Sequence, residues 1–249
     1  ERKRILLAHI YGLDIDSQAV EVTKLSLLLK VLEGETAQTV QRELIHERVL
    51  PDLGDNIKCG NSLIASDFYS QPDLPQMDTE AHMHLNVFDW EGKDGFPEIM
   101  SHGGFDAIIG NPPYVDIKGL PEIEVRYLFK TFPCANNRIN LFAVFMERSL
   151  ALSKQSQFKH SMIIPTALLT QDSYRALRKK ITDLYQISNV VRLPNESFGA
   201  AAGDVKVDTV IVVLGSKAKP STPIQAVSYA GYDRISKIDP SKAHVCIEV

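Results

Sequence analysis

The chain predicts an α/β fold built on a mostly parallel sheet with an antiparallel edge hairpin. Three observations carry that expectation. Short β-rich runs alternate with helical patterns through most of the 249 residues. Several of those runs stop abruptly at acidic or proline-rich corners, and the last two clear ones, residues 187–193 and 208–214, adjoin with a Gly/Ala turn between them. Alternation of this kind is the signature of strand–helix–strand units, and two adjoining runs at the end read as a hairpin.

Residues 5–13 are apolar and read as a strand that ends in Gly12-Leu13-Asp14-Ile15-Asp16. Asp16 and Ser17 then precede an apolar-periodic run over residues 19–30, which is an N-cap signal for a helix. A second helix is expected over residues 36–47, ended by Pro51 and Gly54. Residues 56–63 read as a short strand and a turn, and residues 66–104 as a long polar connection anchored near its end by Val87-Phe88-Asp89-Trp90. Connections of that length are functional or mobile.

Residues 107–109 form an apolar strand, expected to be buried, that Gly110 and Asn111-Pro112-Pro113-Tyr114 bring to a stop. Two prolines in succession lack N–H donors and fix φ, so neither strand nor helix continues through them. Further helices are expected over residues 140–153 and 174–185, with a strand over residues 161–165 that Pro165 ends. The Lys/Pro/Ser-rich stretch after Gly215 reads as a linker, which divides the chain into a domain over residues 1–215 and a linker with the start of a C-terminal region over 216–249.

Composition narrows the function. Hydrophobic residues make up 44% and charged ones 23%, enough apolar material for a substantial core. No apolar run approaches the ~20 residues of a membrane span. Three scattered cysteines, Cys59, Cys134 and Cys246, show neither metal-ligand spacing nor a disulfide framework, which points to a reducing cytoplasm. A net charge of −4 argues against an all-over nucleic-acid binder but leaves room for a local basic face. The opening Glu1-Arg2-Lys3-Arg4, without Met, reads as the start of a piece of something longer.

Three corners carry chemistry. A carboxylate just past a strand accepts hydrogen bonds from ribose hydroxyls in nucleotide-binding sheets, and Asp14 stands there; Asp16 and Ser17 read equally well as helix caps. Gly60-Asn61-Ser62 is first a turn, although an amide at a strand end can also read an adenine edge. At the Asn-Pro-Pro-Tyr corner, a loop stiffener is the plain alternative. Yet the Asn111 oxygen and the Pro112 carbonyl form a pair of acceptors for the two N–H bonds of an exocyclic amine, whose lone pair is otherwise delocalised into its ring. Tyr114 offers a stacking face for a flat base.

In this order, Gly12-Leu13-Asp14-Ile15-Asp16, Gly60-Asn61-Ser62-Leu63 and the run 105–114 resemble the amino-methylating S-adenosylmethionine-dependent DNA methyltransferases. The closer match is the gamma-class adenine-N6 branch of restriction–modification enzymes that join nuclease and methylase in one polypeptide. The resemblance runs over about residues 5–214 and implies a Rossmann-like three-layer sheet. It assigns Asp14 to the cofactor ribose, Ile15 and Phe145 to the cofactor adenine, and Asn61 to the adenine amino group, with core packing as the alternative for Phe145. Asn111 and Pro112 would hold the target amine, and Tyr114 and Phe198 would close on the two sides of the flipped base. Double-stranded DNA is the implied partner, with a nuclease and a target-recognition domain fused or associated.

One departure stands out. The family opens its cofactor site with a Gly-rich strand–loop before the acidic strand, and only thirteen residues precede Asp14. The expectation is therefore a sheet missing its first strand and weak or absent cofactor binding by this polypeptide alone. Rival readings are methylation of a glutamine amide or of ribosomal RNA, and a DNA-binding scaffold without catalysis. The basic run Arg175, Arg178, Lys179 and Lys180 could touch phosphates, a solvated helix face being the plainer account.

Overall fold

Strand Gly12–Asp14 (β1) pairs in parallel with Ile57–Cys59 (β2), in register Gly12↔Ile57, Leu13↔Lys58 and Asp14↔Cys59. The computed structural model describes residues 1–33, 51–70, 85–135, 139–194, 207–217, 223–229 and 247–248. Within these the chain forms two compact units, Glu1–Gly95 and Phe96–Val249.

In the first unit the run expected as one strand over residues 5–13 is split. Arg2–His9 is a helix (α1) and only Gly12–Asp14 is extended. Arg, Lys, Leu and Ala are all good helix formers, and a short apolar run does not by itself distinguish helix from strand. Helix α2 (Ser17–Leu32) starts at Asp16, whose Oδ1 accepts from the Gln18 and Ala19 amides at 2.7 and 3.4 Å. Its inner face joins Val20 to Leu6, Leu53 and Ile57, with Leu27, Leu28 and Val31 packed against that cluster. The helix expected over residues 36–47 lies outside the described residues.

The end of the long connection is anchored as its aromatics imply. Phe88 is buried and meets Trp90 edge-on at 5.2 Å, and the Trp90 indole N–H donates to the Ser62 carbonyl at 3.1 Å. Gly60 lies against Phe88, where a Cβ would come within 2.8 Å of two Phe88 atoms. No larger residue fits there without displacing the ring.

The second unit holds a mixed sheet in the order β3-β4-β6-β5-β7-β8, built from Ala107–Gly110 (β3), Lys159–Pro165 (β4), Tyr185–Arg192 (β5), Thr209–Ser216 (β6), Gln225–Ser228 (β7) and Ile247–Glu248 (β8). Strand β3 runs parallel to β4, and β5 and β6 form the antiparallel pair expected from residues 187–214. That pair lies inside the sheet and not at an edge, because β6 also pairs antiparallel with β4, so the sheet is mixed where a mostly parallel one was expected. Beyond that pair, β7 runs parallel to β5, so the sheet continues past the boundary placed at residue 215.

Helices Pro97–Ser101 (α3), Glu122–Thr131 (α4), Leu141–Leu152 (α5), Ala167–Thr170 (α6) and Arg175–Leu184 (α7) complete the unit. Gly104, at φ +106, turns the chain out of α3 toward β3; a Cβ there would strike the Leu152 carbonyl oxygen at 2.3 Å. Strand β3 itself is not buried. It is the terminal strand of its sheet among the described residues, and Ile109 is 89% exposed.

Helix α5 is the core element of this unit. Asn140 caps it, accepting from the Phe142 amide, and Phe142, Val144, Met146 and Leu150 are buried. His160 on β4 is fully buried beneath it, with its Nε2 2.7 Å from Ser149 Oγ. The Ser149 hydroxyl also lies 3.0 Å from the Met146 carbonyl, so a proton on Nε2 satisfies both groups and leaves Nδ1 as a bare acceptor. Burial pulls the His160 imidazolium pKa down to about 4.

The unfolded chain, with an ordinary histidine, takes up a proton below pH ~6.5 that the folded chain refuses until about pH 4. Stability should therefore be full above that range and fall by ~3 kcal/mol as pH drops through it. Urea unfolding of the wild type and of His160→Met at pH 7 and at pH 4.5 checks this. Parallel losses in the two proteins would show that His160 is not the group responsible.

Candidate functional site

In the first unit, β1 and β2 bring Asp14 and Asn61 to one end of the two-stranded sheet. Asp14 is the cross-strand partner of Cys59, its carbonyl accepts from Gly60 N at 2.8 Å, and Asn61 follows directly. The Asp14 side chain is exposed and its Oδ1 accepts from Asp16 N at 2.9 Å. That Asx turn uses one carboxylate oxygen and leaves Oδ2 pointing no bond back into the chain. Asp16 is the helix cap; Asp14 is not.

Ile15 is 57% exposed, an apolar side chain presented at a strand end. Its carbonyl accepts from Asn86 Nδ2 at 3.3 Å, and Asn61 N donates to the Asn86 carbonyl, so a single asparagine links the ends of both strands. The Asn61 Oδ1 accepts from Leu63 N at 3.0 Å with one of its two lone pairs, which leaves the other and the Nδ2 donors to offer a ligand. Beside this end of the sheet, a cleft of ≈ 760 Å³ lies among α2, β2 and the 87–94 segment, with Val20, Lys24, Ile57, Lys58 and Phe88 in its wall; Asp14 and Asn61 are not part of its lining.

In the second unit, β3 delivers Asn111 and Tyr114 to the surface at its carboxyl end, with Pro112 buried between them. The Tyr114 hydroxyl lies 2.9 Å from the Ile163 carbonyl on β4 and 3.3 Å from Asn111 Oδ1. A hydroxyl donates one proton, and the shorter contact takes it. Burial pushes the Tyr114 pKa up to about 12, so the hydroxyl stays a neutral donor. The Asn111 oxygen keeps its acceptor capacity.

The corner is braced from behind. Leu141 N donates to the Val115 carbonyl at 2.8 Å, and Ile117 N donates to the Ile139 carbonyl at 3.1 Å. Phe142 then meets the Tyr114 ring edge-on, with centroids 6.5 Å apart. On its other side Phe142 lies 5.0 Å from the ring of Tyr174, whose hydroxyl accepts from Asn140 N at 3.3 Å. Sequence reasoning missed Tyr174. Its only signal was an aromatic immediately before an amphipathic helix, which marks packing and not a site. Phe145, one turn beyond Phe142 on α5, is half-buried. Phe198 lies outside the described residues.

The basic run on α7 is divided: Arg175 and Lys179 lie on an exposed face, as a solvated helix would have them, while Arg178 and Lys180 turn toward the protein. Arg178 donates to the carbonyls of Leu168 and Gln171 at 2.7 and 2.6 Å, Lys179 pairs with Asp183, and Lys180 pairs with the buried Glu147. Two of its four cations, Arg178 and Lys180, serve the fold; the exposed Lys179–Asp183 pair adds little.

A family model described as the Eco57I restriction-modification methylase matches residues 8–198. The chain belongs to the Eco57I restriction-modification methylase family. Its fold is accordingly the α/β, Rossmann-like methyltransferase fold that the sequence implied. Among relatives of this methylase chain, the type II restriction enzyme and methyltransferase RM.Eco57I of Escherichia coli is 30% identical over 203 residues, covering 80% of the chain and 18% of the relative. The adenine-specific methyltransferase BrxX of Escherichia coli O9:H4 (strain HS) is 29% identical over 120 residues, 48% of the chain and 10% of the relative.

The chain thus spans less than a fifth of the length of these curated relatives. In structure, the cryo-EM DrdV–DNA complex superposes at a TM-score of 0.54 with 12% identity, over 96% of this chain and 24% of that one, a likeness of fold. No helix among the described residues is long and apolar enough to cross a membrane.

Proposed function

We propose that this methylase chain serves a protein that transfers a methyl group from S-adenosylmethionine to N6 of adenine in double-stranded DNA, within a restriction–modification system in the cytoplasm. The observation that carries the reading is the Asn-Pro-Pro-Tyr corner at the end of β3. There the Asn111 oxygen remains an acceptor because the Tyr114 hydroxyl has a nearer partner in Ile163. The relatives named as adenine-specific methyltransferases support the choice of base.

Asn111 Oδ1 and the Pro112 carbonyl accept the two N–H bonds of the target amine and draw its nitrogen toward tetrahedral geometry, which frees the lone pair for attack. Tyr114 stacks on one face of the extruded base and Phe198 on the other. Positioning of this kind lowers the barrier by fixing the nucleophile and by placing acceptors where positive charge develops.

The residues of the first unit fit the nucleoside part of the cofactor. Asp14 has one carboxylate oxygen engaged by Asp16 N and the other left for ribose hydroxyls. Ile15 gives an exposed apolar surface for a purine, and Asn61 retains an acceptor lone pair for the adenine amino group and donors for a ring nitrogen. For Phe145, on α5 of the second unit, the family resemblance implies a contact with the cofactor adenine. S-adenosylmethionine, when bound, supplies an electrophilic methyl group on a sulfonium centre. Fused or associated nuclease and target-recognition domains would complete the parent protein.

Incubating the full-length protein with a labelled methyl donor and duplex DNA, ribosomal RNA or protein distinguishes the readings. Label in N6-methyladenine of DNA is the expected result. Label confined to ribosomal RNA or to glutamine amides would replace the substrate assignment, and none anywhere would favour a non-catalytic scaffold.

A further inference from the structure

We infer that Tyr174 is a positioning residue for the Asn-Pro-Pro-Tyr corner, an inference that rests on the reading of that corner as the site holding the target amine. Tyr174 ends a single 3-10 turn, Asp172–Tyr174, between α6 and α7. It is buried at 5% exposure, so it does not itself touch a substrate. It reaches the corner by two separate routes that meet at the start of α5.

The first route is a hydrogen bond. The Asn140 amide donates to the Tyr174 hydroxyl at 3.3 Å. Asn140 is the N-cap of α5, where the first amides of a helix have no partners within it. The residue is also bridged to Asp116, two positions beyond Tyr114, and its neighbour Leu141 donates to the Val115 carbonyl. The Tyr174 hydroxyl therefore fixes the segment to which residues 115–117 are tied.

The second route is through rings. Tyr174 lies 5.0 Å from Phe142 at a tilt of 42°, and Phe142 meets Tyr114 edge-on at 6.5 Å. Shifting Tyr174 moves Phe142, and with it the ring expected to stack on the base. Burial raises the pKa of the Tyr174 hydroxyl, against the hydrogen bond from the Asn140 amide and with the Asp116 carboxylate adding to the rise.

The test uses the full-length protein, S-adenosylmethionine and a duplex carrying one target adenine, with Tyr174→Phe and Asn111→Ala side by side. Tyr174→Phe keeps the ring and removes the hydroxyl. We expect its kcat to fall ~10-fold while KM for DNA and for S-adenosylmethionine stays within ~2-fold, because a misplaced reacting group costs turnover more than binding. A Tyr174→Leu variant, which also removes the ring contact with Phe142, should lose ~100-fold.

Kinetic constants are referred to the folded fraction, measured by near-ultraviolet circular dichroism. Wild-type kcat in Tyr174→Phe beside an inactive Asn111→Ala would overturn this inference alone. Losses that track the folded fraction would do the same, since they reduce Tyr174 to a packing residue. Wild-type activity in Asn111→Ala would instead overturn the reading on which the inference rests.

Discussion

Asn111→Ala should lower methyl transfer by about 10³-fold while DNA binding is retained. Removing one group aimed at the charge that develops during a reaction costs 10²–10³-fold in comparable sites. Here the loss should reach the upper end, because the second acceptor, the Pro112 carbonyl, would hold the amine by a single contact. Asn111 is exposed, and no part of the core depends on it. The Tyr114 hydroxyl has the Ile163 carbonyl at 2.9 Å, so it keeps its partner when the amide is gone. The fold and the stacking face are therefore expected to survive. Methyl incorporation from labelled S-adenosylmethionine, run beside a gel-shift assay on the same duplex, measures both halves. Activity within ten-fold of wild type would remove Asn111 from the chemistry.

The second large effect is on stability. Glu147 on α5 is 3% exposed, and its two oxygens serve different segments: Oε1 meets Lys180 Nζ on α7 at 2.7 Å, and Oε2 accepts from Cys134 N at 3.0 Å. For Lys180, burial works against the charged form, but the hydrogen bond and the attraction of Glu147 outweigh it and raise the pKa. Burial, reinforced by the same carboxylate, pushes the Cys134 thiol up to about 11.

Glu147→Ala leaves a half-enclosed ammonium and an amide without their acceptor. Breaking a buried pair costs 3–5 kcal/mol, but the Lys180 side chain is 31% exposed and can turn to water, so ~2–3 kcal/mol is expected. For a chain of this size that lowers Tm by roughly 5–10 °C. Replacing both partners, Glu147→Met with Lys180→Met, should recover most of the loss, because no charge is then stranded. A double variant no more stable than Glu147→Ala would show that the pair does not set the cost. Lys180 in this role is a cation of a basic-looking helix that is committed to the fold and not to phosphates.

How much of this could be read in the sequence depended on the range of the interactions involved. Asp16 caps α2 as its place before the apolar run suggests, and α5 fills the range expected for it to within its two end residues, because such signals act over one turn of chain. The Asn-Pro-Pro-Tyr corner was equally legible, since two prolines stop a strand whatever surrounds it. Residues 5–13 were not. Their apolar run suits either state, and packing of Leu6 against Val20 and Ile57 accompanies the helical choice for its first part.

Strand 107–109 was expected to be buried because apolar β runs usually are, yet its burial depends on strand order, which no local pattern encodes. At the site, Asp14 and Asn61 could be named from strand ends, and the structure joins them through β1–β2 pairing and Asn86. Tyr174 could not be named, because its partner Asn140 lies 34 residues earlier and only the fold brings them together.

The pairing of β3 with β4 also has a bearing on biosynthesis. Ala107 is matched to Lys159, so about fifty residues separate the two strands. At 5–20 residues per second, a ribosome takes ~3–10 s to complete that stretch. During the interval the nascent chain carries Ile108 and Ile109 with no strand to receive them, and only after β4 emerges can the corner at Asn111 be set against Ile163. The strand that carries the Asn-Pro-Pro-Tyr corner is thus synthesised well before the strand against which it is set.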